Sequence, residues 1–183
     1  MKRILGMAAI LFGMLVLLNC GKEASDKQGA KPAMKIATVR PFYYVGLGHT
    51  GPYTEHQEVI EQFLSLAESQ ELTLTGPMMG IYFNSPEQVP QEELEWMIAF
   101  EVEDSLEVAP PLELHKWRFE RVVKTIHYGA PETIRNTYNR IFEFMQGRNL
   151  KAGPVAVERF LYPHKAMKTL DSLQTEVWMT MIP

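Results

Sequence analysis

The groups in this 183-residue chain with the clearest capacity for chemistry are five histidines, one cysteine, and glutamates set among aromatic residues. His49, His56, His115, His127 and His164 form no His-x-x-x-His pattern, and the single Cys20 cannot build a thiolate metal site or an internal disulfide. The expectation is therefore no metal and no cofactor. There is also no Gly-x-Ser-x-Gly elbow, no phosphate-cradling glycine loop and no free thiol nucleophile. That leaves a carboxylate as the group best able to bind or to transfer a proton. Glu176 is the principal candidate, because it stands in a strand-like run beside Val177, Trp178 and Met179. An outward-facing strand glutamate is the plain alternative. Tyr44, Tyr82, Trp96, Tyr128, Tyr162 and Trp178 also lie in strand-like segments. Any one of them suits core packing, but together they bring more hydroxyl and indole N–H groups than an ordinary core needs, which favours some of them lining a cavity.

The elements that must position these residues begin after a leader. Met1-Lys2-Arg3 precedes an uncharged run from Ile4 to Leu18, too short for a comfortable membrane span and suited to a secretory signal over residues 1–19. Cys20 follows directly, as the modified cysteine of a bacterial lipoprotein does, although Leu18 and Asn19 replace the usual small residues. An uncleaved anchor or a chance cysteine is the alternative. Residues 20–33 carry no large apolar side chain and read as the lipidated cysteine and a flexible tether. The folded body is expected at 34–183, a length sufficient for one core.

Within that body, His49-Thr50-Gly51-Pro52 recurs 78 residues later as His127-Tyr128-Gly129-Ala130. Helical periodicity follows each copy, in Val59, Ile60, Phe63, Leu64 and Ala67, then in Ile134, Tyr138, Ile141, Phe142 and Met145. Thr54-x-x-Gln57 has the form of a capping box, and Pro131 suits a helix start. Each helix is followed by a Gly-Pro and two β-rich runs, 78–83 and 94–102, then 155–162 and 175–182. Further strand candidates lie upstream at 35–48 and 117–128. The expected fold is α+β: a strand-helix-strand-strand unit used twice (about 34–104 and 112–183), two helices on a curved, mostly antiparallel sheet. Charge divides with the units. Residues 41–115 hold 14 Asp and Glu and no Lys or Arg, whereas 116–183 hold 11 Lys and Arg against 6 Asp and Glu. Solvated acidic faces and docking of the two units account for most of this; the acidic half also biases the molecule toward cations. A net charge of -4 argues against nucleic acid as a partner.

Gly51-Pro52-Tyr53, the Gly76-Pro77 turn into Gly80-Ile81-Tyr82-Phe83, and the closing Thr175-Glu176-Val177-Trp178-Met179 resemble the GyrI-like small-molecule-binding domains, which also serve as effector-binding domains of transcription regulators. The resemblance spans residues 35–183. It implies that Glu176 projects into an aromatic pocket where the two units meet, with Tyr82 and Trp178 its foremost companions and Trp96, Tyr128 and Tyr44 further candidates. A carboxylate desolvated there is costly while unpaired and its pKa should rise; a lipophilic cation would relieve it. The related fold of the SOUL haem-binding proteins raises haem, but no histidine here stands in an axial-ligand context. Regulator and gyrase-modulator roles need the cytoplasm, and the leader argues against them. The reading is an envelope lipoprotein, outer membrane favoured, that binds a small amphipathic molecule, cationic or uncharged, and is not expected to be an enzyme. A hydrolase of electrophilic small molecules using the same glutamate, or a protein-interaction module without ligand, are the alternatives.

Overall fold

A computed structural model of the chain describes residues 32–103, 106–161 and 173–182. Cys20, the leader and Tyr162 lie outside the described residues. Eight strands form one open, curved antiparallel sheet: β1 Lys35–Thr38, β2 Tyr43–Thr50, β3 Thr75–Tyr82, β4 Glu95–Val102, β5 Glu113–Lys116, β6 Arg121–Tyr128, β7 Ala152–Phe160 and β8 Gln174–Met181. Two helices, α1 His56–Ser69 and α2 Arg135–Gln146, complete the α+β fold. Neither is long and apolar enough to cross a membrane.

The strand order is β1-β6-β8-β7-β3-β4-β2-β5. The order strand, helix, strand, strand runs through β2-α1-β3-β4 and again through β6-α2-β7-β8. β3 and β7 lie side by side at the middle. The outer strands cross over: β1 pairs with β6, and β5 with β2. Each four-residue outer strand covers only half of its eight-residue neighbour. The region read as one strand over 35–48 is thus two, broken at Arg40-Pro41, where proline has no N–H to give a ladder. The segment read as 117–128 starts as a strand only at Arg121, and the short β5 before it carried no alternation to mark it. The expected capping box is absent. α1 is entered through a short 3-10 turn at Tyr53–Glu55 with no side-chain cap, and Gln57 bonds Glu61 at 2.6 Å. Pro131 does stand at the start of the 3-10 turn leading into α2.

Side-chain alternation separates two faces. On one, α1 lays Val59, Ile60, Phe63 and Ala67 on Val45, Leu47, Trp96 and Ile98. On the same face α2 lays Ile141 and Met145 on Val123, Val177 and Met179. Each such fully buried aliphatic or aromatic side chain contributes roughly 1.5–3 kcal/mol. The opposite face carries Tyr44, Met79, Ile81, Met97, Trp117, Val157 and Trp178. There the segments before β2 and β6 fold across the sheet and bring Phe42 onto Trp117 at 5.8 Å and Trp117 onto Trp178 at 5.9 Å.

Candidate functional site: a buried carboxylate among tyrosines

In β7, Val155 and Val157 point to the face without helices, so Glu158 points to the face with them. Its partner in the neighbouring strand is Gly80. The 78-residue offset between the two His-x-Gly turns makes Gly80 the positional counterpart of Glu158, so the mid-sheet pair opposes a carboxylate to a residue without a side chain. That emptiness is used. A Cβ on Gly80 would fall 2.6 Å from the Tyr82 hydroxyl, which lies over the glycine and donates to Glu158 Oε2 at 3.2 Å. From α2, the Tyr138 hydroxyl donates to Glu158 Oε1 at 2.9 Å.

Glu158 is buried, and no Lys or Arg among the described residues meets it. Burial pushes its pKa up to about 7, against the opposing effect of the hydrogen bonds from Tyr138 and Tyr82. The same burial, with the Glu158 charge, pushes Tyr53 up to about 12 and Tyr138 well above the ordinary phenol value. The aromatic wall continues on the α1 side. Tyr53 packs edge-on against Tyr82 at 5.3 Å and stacks on His56 at 5.4 Å; His56 stands edge-on to Trp96 at 4.3 Å. Trp96 is fixed from behind by its indole N–H to the Gly51 carbonyl at 2.9 Å.

Glu176 is on the other face. Lys124 Nζ lies 2.7 Å from Oε1, and Arg159 Nη1 lies 3.1 Å from Oε2, while Arg159 Nη2 reaches Glu101 at 2.9 Å. The rise in pKa expected for Glu176 is corrected here. Burial raises it, but the hydrogen bond and charge of Lys124, with Trp178 and Arg159, outweigh burial and hold it below the usual carboxylate value. Trp178 is likewise engaged, with Arg159 4.9 Å and Lys124 5.6 Å from its ring.

The six residues read from sequence therefore do not converge. Tyr82 and Trp96 belong to the Glu158 side. Glu176, Trp178 and Tyr44 belong to the opposite face, where Tyr44 stacks on His115 at 5.2 Å. Tyr128 is 55% exposed at the far end of β6. It lines an open depression of about 230 Å³ with Pro32, His127 and Arg140; a second, of about 270 Å³, is lined by His49, Phe83 and Trp96 at the matching end of β2. Sequence reasoning missed Glu158, Tyr138, Tyr53 and His56. The available signal was strand alternation: Glu158 shares its face with Ala156 and Phe160 in a run already read as β.

Residues 32–181 match the model of the GyrI-like small-molecule-binding domain. The chain belongs to that family. Solved structures agree in fold. The C-terminal domain of EcmrR superposes with a TM-score of 0.74 at 12% identity, over 82% of this chain and 98% of that one. A hydrolase from Listeria innocua gives 0.58 at 13% identity, over 85% and 94%. SAV2435 bound to tetraphenylphosphonium gives 0.52 at 12% identity, over 82% and 94%. No curated protein matches the chain.

Proposed function

We propose that this GyrI-like domain binds a small amphipathic cation whose counter-ion is Glu158. The observation that carries this reading is a buried carboxylate held by the Tyr82 and Tyr138 hydroxyls with no cation of the described chain beside it. An ionised carboxylate in that setting is costly, and a lipophilic cation removes the cost while gaining attraction from the ring faces around it, about 0.5–2 kcal/mol per good contact. Tyr53 is half-buried at the start of α1, so a ligand reaches Glu158 by displacing that ring. The acidic first half raises the local concentration of cations. Tetraphenylphosphonium, the ligand in the SAV2435 structure, is a suitable probe because it has no proton of its own.

Only the ionised form of Glu158 pairs with a cation, so affinity should follow its titration around pH 7. Calorimetry with tetraphenylphosphonium should give binding roughly tenfold weaker at pH 6 than at pH 8, the ratio of the ionised fractions. Affinity unchanged across that interval would contradict the assignment.

A second reading rests on the same titration. A carboxylic acid that keeps its proton close to neutrality, beside tyrosine hydroxyls, is what a general acid requires. A steady heat of turnover with an electrophilic substrate, lost in Glu158→Gln, would favour that reading over binding alone. The leader and Cys20 support placing the domain on a lipid anchor at the cell envelope, where binding would serve sequestration, sensing or delivery; incorporation of labelled fatty acid dependent on Cys20 tests that part.

A further inference from the structure

Among the described residues, His56 is a titratable side chain joined to the buried carboxylate through a hydroxyl. Its Nε2 lies 3.5 Å from the Tyr82 hydroxyl, which lies 3.2 Å from Glu158 Oε2. His56 is half-buried at the first turn of α1, so part of the residue reaches solvent. The groups packed around it come from every neighbouring element. Tyr53 stacks on it from the 3-10 turn, Tyr82 meets it from β3 and Trp96 from β4. His49 approaches from β2, its ring 4.9 Å from that of Trp96 and its Nε2 2.5 Å from Glu55. Tyr138 and Glu158 stand beyond Tyr82.

Cation binding at Glu158 makes a demand that this line of groups meets. Below neutrality the carboxyl holds a proton that must leave before the cation can pair with it, and the ligand itself blocks the direct way out. We propose that Tyr82 and His56 are the proton exit of the site. The protonated Glu158 donates to the Tyr82 oxygen as the Tyr82 proton passes to His56 Nε2, leaving a carboxylate, an intact tyrosine and an imidazolium. The imidazolium then gives a proton to water, and one proton leaves for each cation bound. Burial and the nearby His49 hold the His56 pKa at about 4, so the charge does not rest there. His127, the second-half counterpart of His49, shows what a structural role looks like. His127 is buried and is bonded through Nδ1 to Thr137 at 3.0 Å and through Nε2 to the Ala130 carbonyl at 3.1 Å.

This inference rests on the cation reading of Glu158, and the experiment separates the two. Tetraphenylphosphonium is mixed with the protein at pH 6.5 in weak buffer, and proton release is followed by stopped flow with a pH indicator. The wild type should release a proton as it binds. His56→Gln should release it tenfold or more slowly and recover its rate when imidazole is added. Tyr82→Phe, which keeps the ring and breaks the line at the hydroxyl, should show the same slowing without rescue. Undiminished release rates in both variants, or a slowing in His56→Gln that imidazole does not relieve, would overturn the relay while leaving the site in place. No binding by the wild type would overturn the cation reading, and the relay with it.

Discussion

Replacing Glu158 with glutamine should stabilise the protein at pH 8, by roughly 3 kcal/mol. The sign follows from the direction of the shift. The carboxyl titrates at about 7 in the fold against 4.5 when unfolded, so the folded state holds the extra proton. Its contribution is complete below pH 4.5 and is lost as pH rises through 7, so that by pH 8 the wild type carries a buried charge with no cation of the described residues beside it. Glutamine has the same shape, keeps an oxygen for the Tyr138 hydroxyl and never ionises. His56 works in the opposite sense. Its pKa is lowered from 6.5 to about 4, mainly by burial and then by His49, so stability is gained as pH rises between those values. The two slopes largely cancel in the wild type between pH 4.5 and 6.5. Urea unfolding should therefore show a flat wild-type profile there, a Glu158→Gln profile that climbs with pH, and the full difference at pH 8. A variant no more stable than the wild type at pH 8 would mean that the carboxylate is not desolvated as described.

Arg159→Met should have a similarly large effect in the other direction. The guanidinium joins Glu176 and Glu101 and covers the face of Trp178. Its side chain is 19% exposed and that of Glu176 is 12%, so these are not solvated surface pairs of negligible worth. Removing the arginine leaves two carboxylates and, among the described residues, only Lys124 to meet them. Breaking a mostly buried network of this kind costs roughly 3 kcal/mol, a fall of about 6–12 °C in Tm for a domain of this size. Glu176 is held below the ordinary carboxylate value, so its contribution is present above its unfolded pKa and is lost as pH falls through the lower folded one. The penalty of Arg159→Met should accordingly shrink in acid, and Arg159→Met with Glu176→Gln should recover part of it at pH 7. A melting temperature unchanged by Arg159→Met would show the network to be ornamental.

The contrast between Glu158 and Glu176 shows where sequence stops being informative. Both glutamates stand in strands among apolar neighbours, and alternation states only which residues share a face. Whether helices, cations or tyrosines cover that face depends on pairings between distant segments. Glu176 meets its counter-ions because register sets Arg159 beside it and Lys124 opposite Trp178, across 17 and 52 residues of chain. Among the described residues Glu158 has none, because its partner in β3 is Gly80 and because the groups brought toward it on the helical face are tyrosines and a histidine. The two helices and the strands β3, β4, β7 and β8 were legible because their periods are strong; the Gly-Pro pairs, read as turns, lie instead inside β3 and β7, where the register shifts. The outer strands were not. Glu113–Lys116 is short and charged, and its place beside β2 follows from a crossing of the two halves that no local pattern encodes. Pro41 did mark the break between β1 and β2, but only register shows that the strands on its two sides pair with different partners.

The most direct measurement of the account compares the two glutamates as binding residues. Tetraphenylphosphonium affinity at pH 8 should fall tenfold or more in Glu158→Gln and stay within threefold of the wild type in Glu176→Gln. Wild-type affinity in Glu158→Gln, or a tenfold loss in Glu176→Gln with Glu158 intact, would place the ligand on the other face of the sheet and contradict the account.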